Sequence, residues 1–245
     1  MVVLPEIAPT RGVFVTGTDT GVGKTVIAAG LTAALRELGQ AAVYFKPIQS
    51  GARATEDGLI PDDALFAQQM ANLEEPLAML TPIILKLPLA PAVAAAQAGV
   101  RIDLNRIAAA FNDLARRYDF LVVEGAGGLY VPLIDTDFLV LDLACWLNLP
   151  LVVVARPGLG TINHTTLSVK AALSAGLEVA GIIINQYPEH PGLAARTNPE
   201  IIAALTGKPI LGLVHVIIDL DTTSGRKPLL AALQTIVCRS DWPRP

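Results

Sequence analysis

The chain has only two cysteines in 245 residues, Cys145 and Cys238, and they lie far apart. Neither a disulfide framework nor a metal site of several thiols can be built from them, so both are expected to fill buried apolar positions. Charge is equally sparse: charged residues make up 16%, and the formal net charge of −4 comes with no basic cluster. A nucleic-acid backbone is therefore not an expected partner. Long uninterrupted apolar runs are missing too, since the longest, 83–100, is broken by Lys86, Pro88 and Pro91. No other run reaches the ~18 residues that a membrane-spanning helix needs. Residues 1–11 contain Pro5, Glu6 and Pro9 and lack a basic region leading into an apolar core, so a cytoplasmic location is expected. No Gly/Ser-rich or charged linker and no fixed-period repeat divides the chain. One domain over residues 1–245 is the expectation.

What the chain has in excess is apolar content, 52%. That implies a sheet buried on both faces together with apolar surface covered by a partner subunit, and hence a homo-oligomer. Six short β-branched runs, 12–15, 42–45, 120–123, 151–155, 179–184 and 210–214, read as strands. Between them, 26–38, 62–72, 104–117, 137–147, 162–175 and 198–205 read as helices. Alternation of this kind predicts an α/β fold, a mostly parallel sheet with helices on both faces, whose ligands gather at the C-terminal ends of the strands.

The segment after the first strand is Gly17-Thr18-Asp19-Thr20-Gly21-Val22-Gly23-Lys24-Thr25, and Val26 continues into the first helix. Backbone N–H groups of such a loop wrap a nucleotide's phosphates, the lysine reaches the terminal phosphates, and the following hydroxyl meets Mg²⁺. Lys24 and Thr25 take those roles in a P-loop NTPase-type fold. The glycine that usually opens this spacing stands one residue early, at Gly17 instead of position 18, so the loop is a variant.

Two further strand ends carry chemistry. The run 120–123 delivers Glu124, followed by Gly125, Ala126, Gly127 and Gly128, which allow close backbone approach to a ligand. Glu124 is the natural Walker-B counterpart of the phosphate loop, able to hold Mg²⁺ directly or through water. Asp62 or Asp63 could add another hard ligand. After the second strand, Lys46-Pro47-Ile48-Gln49-Ser50-Gly51 could place a second cation and a hydroxyl beside a transferring phosphate. The loop 158–163 opens a helix whose free N–H groups suit a carboxylate.

These motifs, at these spacings over roughly residues 12 to 214, together with Val131-Pro132-Leu133 and Ile162-Asn163-His164, make the chain similar to the dethiobiotin synthetases. The resemblance implies a homodimeric enzyme that takes 7,8-diaminononanoate, CO₂ and ATP with Mg²⁺. It implies Lys46 and Lys24 as catalytic cations, Thr20 and Ser50 as substrate contacts, and Thr25, Asp63 and Glu124 around the metal. Asp63 is favoured over Asp62 because Asp63-Ala64-Leu65 matches the family's Asp-Ala-Leu. Nucleotide contacts would come from Gly21, Val22, Gly23, Lys24, Thr25, Val26, Asp63, Glu124, Gly125, Ala126 and Gly127, with Asn185 reading adenine. Gly160, Thr161, Ile162 and Asn163 would receive the substrate's tail carboxylate from the neighbouring subunit. His164 is expected to be structural, and His190 and His215 incidental.

The chain departs from that family at Ala90-Pro91-Ala92, where relatives often show Ser-Pro-His, and at Leu211-Gly212-Leu213-Val214-His215, where they usually show Leu-Gly-x-x-Pro. Gly21 is acidic in some relatives. The main rival is a partitioning or assembly ATPase of the same superfamily, in which hydrolysis drives a dimer switch. Such proteins typically carry a lysine near the start of the loop, where this chain has Asp19. A corrin-amidating ligase would need a glutamine-hydrolysing domain for which there is no room, and a dead binding module would be expected to lose Lys24, Lys46 or Glu124.

Overall fold

A computed structural model of the chain describes residues 2–243. In chain order the elements are β1 (Gly12–Gly17), α1 (Lys24–Glu37), β2 (Ala42–Phe45), β3 (Ile48–Gln49), β4 (Arg53–Thr55), β5 (Gly58–Ile60), α2 (Asp62–Ala71) and α3 (Leu77–Leu80). β6 (Ile83–Ile84), α4 (Pro91–Ala98), α5 (Leu104–Arg117), β7 (Phe120–Glu124), β8 (Pro132–Ile134), β9 (Phe138–Leu139) and α6 (Val140–Leu147) follow. The last elements are β10 (Leu151–Ala155), α7 (Thr161–Ser174), β11 (Val179–Tyr187), α8 (Leu193–Thr206), β12 (Ile210–His215) and α9 (Thr223–Val237).

The six strands read from the apolar runs form one sheet in the order β12-β11-β10-β1-β7-β2, and every neighbouring pair is parallel. β1, β7 and β10 are buried at every residue, as strands covered by helices on both faces must be. From β1 the chain crosses to β2 on one side, and later to β10 and β11 on the other. Right-handed crossovers then put α1 and α7 on opposite faces and leave a crevice at the C-terminal end of β1. On the α1 face, α9 packs so closely that a Cβ added at Gly30 would lie 2.4 Å from Leu233 Cδ1. This helix went unread in the sequence because the polar 219–227 stretch and Pro228 mask the apolar set Leu229, Leu233 and Ile236.

Other differences have local causes. Helix α8 begins at Leu193, not 198, and carries Pro199 inside it. Proline removes the bond to the carbonyl four residues back, and here that carbonyl, Ala195 O, is met by the Tyr187 hydroxyl at 3.3 Å. β11 runs past Ile184 to Tyr187, with a register break that resumes at Tyr187 opposite His215. Both cysteines are exposed, which corrects their reading as buried fillers. Cys145 lies off the α6 stripe of Val140, Leu143, Ala144 and Leu147 that faces the core, and Cys238 caps the end of α9. Among the described residues no helix is long and apolar enough to cross a membrane.

Candidate nucleotide and metal site

The loop between β1 and α1 is held in shape by left-handed backbone at Gly21 and Gly23, with φ of 78° and 87°. A side chain at Gly23 would be strained, and its Cβ would lie 2.1 Å from Asn185 Nδ2. Gly23 caps α1 without any side-chain bond, so the first N–H groups of the helix stay available to an anion. The Lys24 ammonium folds back to donate to Asp19 O at 3.0 Å. Burial pushes the Lys24 pKa down; Glu124 opposes that shift and Lys46 adds to it.

Around Glu124 the three strand ends meet. Its Oε1 accepts from Thr25 Oγ1 at 2.8 Å and from Lys46 Nζ at 2.8 Å, and its Oε2 accepts from the Tyr44 hydroxyl at 2.5 Å. Lys46 Nζ also donates to Asp63 Oδ2 in a short ion pair. Burial works against the Lys46 charge, but the carboxylates of Glu124 and Asp63 outweigh it and hold the pKa above the ordinary lysine value. Burial and the same two carboxylates raise the Tyr44 hydroxyl well above its usual range, so it remains a donor. Asp63 and Asp62 part ways in the first turn of α2, whose N-cap is Pro61. Asp63 faces Lys46, with its backbone N–H on Gln49 Oε1 at 3.3 Å, while Asp62 is exposed and paired with Arg53 at 2.9 Å.

A cavity of about 700 Å³ opens over this cluster. Of the residues singled out in the sequence, Thr20, Gly21, Gly23, Lys24, Thr25, Lys46, Ser50, Asp63, Glu124, Ala126 and Gly127 line it. Pro88, Leu89 and Ala90 with Pro91 at the start of α4 close its apolar side. Val22 and Gly125 are buried behind the lining and Val26 is half-buried on α1. Asn185 is buried with its Nδ2 donating to Val22 O at 3.0 Å, and Gln186, at φ 56°, donates to Gly21 O at 3.2 Å. The register break in β11 thus turns two consecutive amides onto the loop.

Gly160, Thr161, Ile162 and Asn163 lie outside this cavity. Gly160, left-handed at φ 85°, caps α7 without a side-chain bond, and Asn163 is exposed. The Thr161 side chain is fully buried, its hydroxyl 3.3 Å from that of Thr165. Arg156 bridges this helix start and the phosphate loop, 3.4 Å from His164 Nδ1 and 3.9 Å from Asp19 Oδ2. Neither Arg156 nor Tyr44 belongs to one of the sequence motifs. Tyr44 stands two residues before Lys46 in extended chain, so both side chains project the same way, and that spacing was the available signal.

The donor set suits a hard cation. Thr25, Asp63 and Glu124 offer a hydroxyl and two carboxylates, and among the described residues no three His, Cys, Asp or Glu side chains form a cage. Mg²⁺ is bound in this manner, by one or two carboxylates with water and substrate phosphates completing its shell.

A family model described as an AAA domain matches residues 11–224. The chain is 46% identical to the ATP-dependent dethiobiotin synthetase of Anaeromyxobacter dehalogenans (strain 2CP-C), over 83% of this chain and 89% of that protein. Against that of Bacillus subtilis (strain 168) identity is 43% over 82% and 86%, and against that of Thermodesulfovibrio yellowstonii 37% over 86% and 90%. Among solved structures it resembles the septum site-determining protein MinD of Pyrococcus horikoshii with Mg-ADP, TM-score 0.56 at 16% identity, covering 93% of this chain and 94% of that one. The MinC:MinD complex of Aquifex aeolicus aligns with TM-score 0.58 at 16% identity, covering 93% of each chain. At such identity this is a likeness of fold. Identities of 37–46% across more than four fifths of each protein show that the chain belongs to the ATP-dependent dethiobiotin synthetase family.

Proposed function

We propose that this enzyme converts 7,8-diaminononanoate, CO₂ and ATP to dethiobiotin, ADP and phosphate. The observation that carries the reading is the convergence of Lys46, from the loop after β2, on the Thr25–Glu124 pair at the phosphate loop. A P-loop needs one lysine to cradle phosphates; a second buried ammonium at the same point suits a reaction that brings two anions together.

In this reading one amine of the substrate adds to CO₂ and releases a proton, giving a carbamate. A carbamate oxygen attacks the γ-phosphorus and ADP departs. The second amine then attacks the carbonyl of the mixed carbamic-phosphoric anhydride, closing the ureido ring as phosphate leaves with the bond electrons. Without phosphorylation the leaving group would be an oxide, which an amine does not displace. Lys24 and Lys46 neutralise the carbamate and phosphoryl oxygens as they meet, Thr20 and Ser50 orient the diamine end, and Asn185 offers its free carbonyl oxygen to the base. Mg²⁺, held by Thr25, Asp63 and Glu124, would supply further charge neutralisation on the phosphates. Lys46 is bound to both carboxylates here, which supports a role for it beside the phosphate loop.

A homodimer would complete the site, with the α7 N-terminus of one subunit offering its N–H groups to the tail carboxylate bound against the other. The uncapped helix start at Gly160 and the exposed Leu159 and Leu167 beside it support that arrangement. The test is incubation of purified protein with diaminononanoate, bicarbonate, ATP and Mg²⁺, followed by mass detection of dethiobiotin. Nucleotide hydrolysis without that product would end the reading.

A further inference from the structure

We propose that Tyr44 is a positioning residue for the metal-side carboxylate, fixing Glu124 so that one oxygen is presented to Thr25, Lys46 and the cation. The inference rests on the reading of Glu124 as a metal-side acid, and it adds a residue that this reading did not contain. Tyr44 is completely buried in β2, which pairs with β7, the strand that ends in Glu124. A phenylalanine would fill the same apolar volume, so the hydroxyl is there for a polar reason, and among the described residues its one hydrogen-bond partner is Glu124 Oε2. The division of labour on Glu124 is clean: Oε2 is taken by Tyr44, while Oε1 accepts from two groups that line the cavity, Thr25 and Lys46.

A carboxylate with one oxygen hydrogen-bonded into the sheet is held against rotation about its terminal bond. Its other oxygen then stays aimed at the cavity when Lys46 withdraws toward incoming phosphate. Without the hydroxyl, Glu124 is free to turn either oxygen inward, where Oε2 would lose its partner in an apolar wall. The consequence falls on metal binding before it falls on nucleotide binding, because the phosphate loop and its helix N-terminus do not depend on Tyr44.

The experiment titrates Mn²⁺ into the full-length protein in the presence of ADP, read by the electron paramagnetic resonance of free Mn²⁺, for wild type, Tyr44→Phe, Glu124→Gln and the double variant. Losing a hydrogen bond to a charged group should weaken Mn²⁺ binding roughly tenfold in Tyr44→Phe, with affinity for ADP in the absence of metal changed less than twofold. In the Glu124→Gln background Tyr44→Phe should have no further effect, and that pair of proteins, in which the partner of the Tyr44 hydroxyl carries no charge, keeps the comparison open if the single variant folds poorly. Mn²⁺ affinity in Tyr44→Phe within twofold of wild type, while Glu124→Gln lowers it, would overturn the role of Tyr44 alone. An equal loss from Tyr44→Phe in both backgrounds would make it a fold effect and overturn the role as well. Unchanged Mn²⁺ binding in Glu124→Gln would overturn the metal-site reading and this proposal together.

Discussion

Replacing Lys46 by alanine separates the electrostatics of folding from the electrostatics of catalysis. Lys46 is 5% exposed and sits between Glu124, 1% exposed, and Asp63. Removing one partner of a buried pair costs roughly 3–5 kcal/mol, because the other charge is left without compensation. The lower end applies here: the Asp63 side chain is 34% exposed and screened by water, and Glu124 keeps its bonds from Thr25 and Tyr44. The Lys46 pKa is raised on folding, so its contribution is fully present below the unfolded lysine value of 10.5 and is lost only as pH rises through the higher folded value. At neutral pH the whole loss of about 3 kcal/mol is therefore visible, a fall of roughly 6–12 °C in melting temperature for a chain of this size. Mg-ADP should recover more of that in the variant than it adds to wild type, since the cation meets carboxylates that have lost their ammonium. Turnover should fall on the order of 10²-fold or more, with ATP affinity changed far less. The assays are differential scanning calorimetry with and without Mg-ADP, and kcat and KM from dethiobiotin formation. Near-normal turnover, or a metal-free melting temperature within 2 °C of wild type, refutes the reasoning.

Asp63→Asn should raise the Mg²⁺ concentration for half-maximal activity about tenfold, whereas Asp62→Asn, which breaks only an exposed pair with Arg53, should move it less than twofold; equal effects would mean that the wrong acid was chosen. Lys24 titrates in the opposite sense to Lys46, because its pKa is lowered, mainly by burial. Between that lowered value and the unfolded 10.5 the unfolded chain binds more protons, so folding stability gains from Lys24 as pH rises while its charge is lost. The alkaline limb of kcat/KM should accordingly fall below pH 10.5, and a limb at or above that pH would contradict it. Mixing Lys46→Ala with a variant disrupted in 158–163 should restore part of the activity through hybrid dimers with one intact composite site; full activity in a species that sediments as a monomer would end the shared-site idea.

Much of this was decided by sequence-local physics. Short apolar runs bounded by turns carry their strand preference locally, so the six strands of the sheet could be read one by one. The phosphate loop is likewise local, since Gly21, Gly23, Lys24 and Thr25 act through backbone geometry and a helix start contained in a few consecutive residues. The separation of Asp63 from Asp62 could be named in advance only through a family resemblance, because adjacent acids in a first helical turn have the same local propensity. Tertiary packing alone set the rest. Tyr44 acquires its role only when β2 lies beside β7 and its hydroxyl meets Glu124 across 80 positions of sequence. Arg156 reaches Asp19 because β10 pairs with β1, and Ala195 can lose a helical bond to Pro199 because Tyr187 of β11 is there to replace it. The exposure of Cys145 and Cys238 was set the same way, since composition says what a thiol prefers and only the placement of α6 and α9 says which face it occupies. Pairings between residues distant in sequence have no period and no local signal; they come into being when the sheet order does.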